Sequence, residues 1–256
     1  MQEDSLMSLV QFFKLSSQRI SPKERSPEVQ ERFNKIIENY ILSSRVPNIK
    51  DFNQNFQSLS DEEKYNIVNQ MSNIDRETFG SKYPEEDFAT STYDILDSLD
   101  IEAKPYGFYM HVKDDPNKVC GYIYGSDAKN HIMNSYEVSY FKGFLKKHKV
   151  SDIKDIVSSL NSGKIFYVEN LATTSLCGSG LLPSGSLLMI EMVKVLKQEG
   201  YKYIYAEFLS DSYEVIKSAK SSNIFSKLGV QLILDIADSL DEGDIYPRAK
   251  VLLKIN

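Results

Sequence analysis

Three observations predict an α/β protein with a mixed twisted sheet flanked by helices. Short runs rich in β-branched and aromatic residues alternate with helical periodicities across the carboxy-terminal half. From residue 164 onward the order reads strand, loop, helix, strand, helix, strand, strand, which packs helices on a sheet that is neither all parallel nor all antiparallel. Between the first of those strands and its helix lies a glycine- and serine-rich loop, a turn with room for a close backbone approach.

The elements follow in chain order. Residues 5–18 (SLMSLVQFFKLSSQ) place Leu6, Leu9, Val10 and Phe13 on one helical stripe. Ser26 and Pro27 read as an N-cap with proline at the first helical position, opening a second helix with Val29, Phe33, Ile36, Ile37, Tyr40 and Ile41 on one face. Pro47 ends it. Residues 1–60 are thus expected as a helical amino-terminal extension, with faces suited to a protein partner, and residues 61–256 as the main domain. Ser60 and Glu63 form a capping-box pattern before a helix carrying Tyr65, Ile67, Val68, Met71 and Ile74. Another helix is expected over residues 88–99.

Past Pro105 the character changes. Residues 107–112 and 119–124 read as a hairpin around the turn DDPNK. Residues 126–163 form a polar, helix-leaning insertion, then 164–172 (KIFYVENLA) a buried strand. A helix over 184–199 stops at Gly200, and a strand covers 201–209. One helix then runs to Gly229, and two strands, 230–236 and 246–255, close the chain across an acidic loop.

Composition excludes several classes. The 256 residues are 41% hydrophobic, enough for a proper core, and carry a net charge of −6, which argues against nucleic-acid binding as the main role. The one dense basic run, residues 142–149 (KGFLKKHK), reads as a solvated helix face. With only two cysteines and three histidines in no metal-ligand spacing, neither a disulfide framework nor a metal site is expected, and a reducing cytoplasm is the simpler setting. The acidic start is wrong for a signal peptide, and no apolar run reaches membrane-spanning length.

The loop from Cys177 to Ser186 (CGSGLLPSGS) carries the functional signal. Glycines let backbone N–H groups turn toward a ligand, and the mouth of the following helix adds partial positive charge, a combination suited to a pyrophosphate. It lacks the third glycine of a dinucleotide fingerprint and the Gly-Lys-Ser/Thr of a P-loop. No Gly-x-Ser-x-Gly occurs, so hydrolase chemistry has no support.

Taken in order, these segments resemble the GNAT superfamily of N-acyltransferases from about residue 61 to the end. The resemblance rests on Gly121-Tyr122-Ile123-Tyr124, Leu171-Ala172-Thr173, the loop and helix from Gly180 to Leu188, and Phe225-Ser226-Lys227-Leu228-Gly229-Val230. It implies a GNAT-like fold, acetyl-CoA or another acyl-CoA as cofactor, and transfer of the acyl group to an amine, on a small molecule or a protein. A central strand that splays from its neighbour would pair with the pantetheine arm through Leu171, Ala172 and Thr173, and the amides of Ser184, Gly185 and Ser186 would hold the pyrophosphate. An alternative register places Gly178 and Gly180 on the two family glycines.

The sequence departs from the family pattern twice. Gly180 and Pro183 stand where a basic or amide residue and a glycine are usual, and Phe225 replaces a tyrosine that acts as general acid. These losses keep open a catalytically inactive structural or interaction protein of the same fold, or a CoA sensor. For the base, Glu169 is the first candidate, expected on the face of Leu171 and Thr173 by strand parity. Glu207 and Asp211 come next, and Tyr213 is a weak candidate acid. Cys177 reads as an incidental small residue, with no histidine near it in sequence.

Overall fold

A computed structural model describes residues 27, 28, 31, 35, 38, 48–80, 106–132, 135–177, 184–209, 213–221, 223–239 and 246–256. The helices expected over 5–18 and 88–99, and loop residues 178–183, lie outside the described residues. So does most of the helix expected after Ser26, although residues 27, 28, 31, 35 and 38 are helical.

A seven-stranded mixed sheet organises the chain, in the order β1-β2-β3-β4-β5-β7-β6. Its strands are β1 (Ile49–Asp51), β2 (Tyr106–Val112), β3 (Asp115–Asp127), β4 (Ile165–Thr173), β5 (Tyr203–Leu209), β6 (Val230–Ser239) and β7 (Arg248–Ile255). Edge strand β1 falls inside the segment expected to be a helical extension. It pairs antiparallel with β2, so the sheet begins before residue 60. The expected turn DDPNK is tighter than its composition indicates, because β3 already starts at Asp115, which pairs with Val112.

Helices cover both faces. On one side lie α1 (Phe52–Asn55), α2 (Asp61–Asp75), α3 (Ser135–Lys147) and α4 (Ile153–Asn161). Alpha-2 opens with the predicted capping box: Glu63 N–H donates to Ser60 Oγ, while Ser60 N–H donates to the Glu63 carboxylate at 2.8 Å. The expected insertion is helical as α3 and α4, and its apolar faces pack on Ile165, Tyr203, Tyr205 and Leu252.

On the opposite face α5 (Ser184–Gln198) crosses over between β4 and β5 and buries Leu188, Met192, Val193 and Leu196 against Phe166, Val168, Ile204 and Ala206. Gly200, at φ +75°, ends it as expected. The helix expected to run on to Gly229 is two pieces, α6 (Glu214–Ser221) and α7 (Ile224–Lys227). Asn223, at φ +56°, breaks it, a left-handed conformation that asparagine tolerates better than most residues. Among the described residues no helix is long and apolar enough to cross a membrane.

Candidate functional site

The site is defined by where two strands part. Beta-4 and β5 are the sheet's parallel pair, and their register runs from Ile165↔Tyr203 only to Val168↔Ala206. Both strands continue beyond that point: β4 stays on β3 as far as Thr173↔Gly121, and β5 stays on β7 as far as Leu209↔Arg248. The edge of β4 that faces β5 is therefore left without a ladder partner over Leu171, Ala172 and Thr173, the residues expected to lie beside a pantetheine arm.

The first turn of α5 stands next to this edge. A Cβ added to Gly185 would meet the Leu171 side chain at 3.7 Å, so helix start and parted strand are in contact. The leading N–H groups of a helix have no intrahelical acceptor, so Ser184, Gly185 and Ser186 present donors here. Ser186 is 3% exposed, and its hydroxyl has no hydrogen-bond partner among the described residues. These groups fit an anionic, chain-like ligand with its phosphates at the helix mouth. Gly178 and Gly180 lie outside the described residues.

Glu169 is placed differently from its expected position. The register slips between Tyr124↔Asn170 and Gly125↔Val168, so Glu169 is the extra residue of a β-bulge. Counting by twos therefore fails: Leu171 packs with the α5 face, whereas Glu169 turns to the face carrying α3. There the Ser126 hydroxyl donates to Glu169 Oε1 at 2.7 Å, and His131 Nε2 lies 2.9 Å from Ser126 Oγ and 3.2 Å from Glu169 Oε1. Since the serine proton is committed to the carboxylate, the network assigns the imidazole N–H to Nε2, shared between serine and glutamate. This arrangement orients the Glu169 carboxylate.

His131 also lines a cavity of about 450 Å³ under α3, with Tyr136, Glu137, Tyr140, Tyr167, Tyr205, Glu207 and Lys250 among its walls. Tyr167 and Tyr205 pair across β4 and β5 just before the strands part, and Glu207 is the first residue of β5 beyond Ala206. The Tyr205 hydroxyl donates to Glu207, and Lys250 Nζ lies 3.3 Å from the same carboxylate oxygen. Lys250 is 4% exposed, so the ammonium end of this pair is withdrawn from water while the Glu207 side chain stays partly exposed. The strand gap thus has a helix mouth on one face and an acidic, aromatic cavity on the other.

The remaining candidates lie elsewhere or are engaged. Tyr213 donates its hydroxyl to Asp235 on β6. Phe225 is buried in the α5-side core. Asp211 lies outside the described residues. Ser126, His131 and Lys250 were not expected from the sequence, and neither was Asp75 at the end of α2. The Asp75 carboxyl is fully buried and accepts from Asn170 Nδ2 at 2.8 Å, on the parted stretch of β4. Burial pushes it up to about 6. The Tyr122 hydroxyl stands beside it without closing a well-formed hydrogen bond, so one good donor offsets only part of the desolvation cost.

No protein-family model matches the chain, and no curated protein matches it in sequence. Similar solved structures exist. A coenzyme A complex of aminoglycoside 6′-N-acetyltransferase is 13% identical, with 80% of this chain and 94% of that one covered at a TM-score of 0.40. The aminoglycoside 6′-N-acetyltransferase from Enterococcus faecium is 12% identical over 81% of this chain and 95% of that one, at 0.39. The GNAT domain of S. lividans PAT is 10% identical over 81% and 89%, at 0.46. The chain is similar in fold to these solved structures.

Proposed function

We propose that the chain is an acyl-CoA-dependent N-acyltransferase that moves an acyl group to an amine. The observation that carries this reading is the parting of β4 and β5 after Val168 and Ala206, open to a helix mouth on one face and to the cavity on the other. The edge of Leu171, Ala172 and Thr173 and the first turn of α5 would hold the cofactor. When bound, the cofactor supplies an activated thioester whose thiol, with an ordinary pKa of about 8.5, leaves without help from an acid. That matters because buried Phe225 has no proton to give.

The cavity would hold the acceptor. Carboxylates and aromatic faces favour a cationic amine, which must lose a proton to become a nucleophile. Glu169, which contacts His131 of the cavity wall and accepts from Ser126, would take that proton. Glu207, tied to Lys250 and Tyr205, shapes the wall and sets its charge. The test is thiol release from acetyl-CoA across a panel of polyamines, aminoglycosides and lysine peptides. Release that depends on the amine supports the reading. Folded protein that releases no thiol with any amine rejects it in favour of an inactive protein of the same fold.

A further inference from the structure

Two thiols far apart in sequence meet beside the strand gap. Cys120 on β3 is fully buried, Cys177 in the turn after β4 is partly exposed, and neither is in a disulfide. The two side chains share a hydrogen bond. The backbone fixes the encounter: Thr174 donates to the Cys120 carbonyl through its N–H at 2.8 Å and its hydroxyl at 3.2 Å, and Cys177 N–H donates to the Thr174 carbonyl at 3.2 Å. Gly121 leaves the space, since a Cβ there would come within 3.1 Å of Cys177 Sγ.

We propose that Cys120 and Cys177 form a peroxide-sensitive dithiol that closes into an intramolecular disulfide across β3 and the turn leading to α5. The thiols are chemically unequal. Hydrogen bonds from Cys120 and then from Ser184 hold the Cys177 thiol below its usual range, while Cys120, bonded to Cys177 and buried, is held above it. Cys177, the partly exposed sulfur, is the one peroxide can reach and so the attacking thiol, and buried Cys120 is the resolving thiol. In the first step Cys177 sulfur attacks a peroxide oxygen, the O–O bond breaks, and a sulfenic acid and water form. In the second, Cys120 sulfur attacks the Cys177 sulfur, the S–O bond breaks, and the oxygen leaves as water with the Cys120 proton. Two thiols are oxidised by two electrons and one hydrogen peroxide is reduced to two waters. The bond would pin the turn that leads into the loop before Ser184, so its effects would reach the helix mouth whatever that mouth binds.

The chain has only these two cysteines, which makes the test unambiguous. Reduced full-length protein is treated with a small excess of hydrogen peroxide, quenched, denatured and alkylated, and its intact mass is measured. The expected product has lost two hydrogens, takes up no alkylating agent, is monomeric, and returns to two alkylated thiols after reduction. Peptide mapping should join the segments containing residues 120 and 177. Two variants support the assignment of roles: Cys120→Ala should stall at a Cys177 sulfenic acid trapped by a sulfenate-specific reagent, whereas Cys177→Ser should leave Cys120 alkylatable after denaturation. Two alkylated thiols after peroxide, a sulfinic acid at Cys177 without a crosslink, or a disulfide between two chains would each overturn the proposal.

Discussion

Glu169 owes its position to two neighbours and to a bulge in its own strand. Ser126 and His131 both point their hydrogens at it, and the bulge turns it toward the face that carries α3. General-base help is worth about two to four orders of magnitude, so Glu169→Gln should lower kcat/KM for amine acylation by roughly 10²- to 10⁴-fold. Coenzyme A affinity should stay unchanged, because the strand edge proposed to hold the cofactor begins at Leu171. Equal activity in wild type and variant, measured by thiol release, would remove Glu169 from the mechanism. Asp75 makes a separate prediction at this scale. Folded, its carboxyl holds a proton up to about pH 6; unfolded, it loses it near the ordinary 3.8. Between those values the folded state binds the extra proton, so this residue's contribution to stability falls as pH rises through the window. Asp75→Asn keeps an oxygen for Asn170 and removes the buried charge. It should match the wild type below about pH 4 and exceed it by up to about 3 kcal/mol above pH 7, by the linkage value of about 1.4 kcal/mol per unit. Urea unfolding of both proteins at the two pH values checks this.

At the scale of elements, the bulge in β4 depends on a glycine opposite it. A Cβ on Gly125 would collide with the Tyr167 carbonyl oxygen and come within 2.8 Å of the Phe166 ring, so β3 can follow the bulged strand only with no side chain there. Gly125→Ala should destabilise by about 3 kcal/mol or more, because backbone and not a flexible side chain is in the way. Gly143, exposed in mid-α3, has nothing within 4 Å of an added Cβ. Gly143→Ala should therefore stabilise by about 0.5–1 kcal/mol through helix propensity alone. Thermal melts of the two variants should move in opposite directions. The same elements show what could be read in advance. The capping box of α2, the glycine stop of α5 and the β-strand runs are local signals, and each produced its element. Glu169 was misplaced because a bulge is set by pairing between β3 and β4, which parity along one strand cannot report. Asn223 split a helix whose periodicity runs straight through it.

For the whole molecule, the order of elements was legible and the contacts of the site were not. Asp75 reaches Asn170, Cys120 reaches Cys177, and Ser126 and His131 reach Glu169, all through packing of segments distant in sequence. No single window contains both partners, so composition and spacing are blind to them. The parting of β4 from β5 was expected only through the family resemblance, and the pairing shows it directly. Everything proposed for function depends on that gap accepting an acyl-CoA beside the mouth of α5. Thermal unfolding of the full chain with and without coenzyme A tests this most directly. A ligand held at about a hundredfold excess over its Kd stabilises the folded state by about 2.7 kcal/mol, so the account predicts a saturable rise in Tm with coenzyme A, and a smaller rise with dephosphorylated pantetheine. An unchanged Tm at millimolar coenzyme A would contradict it.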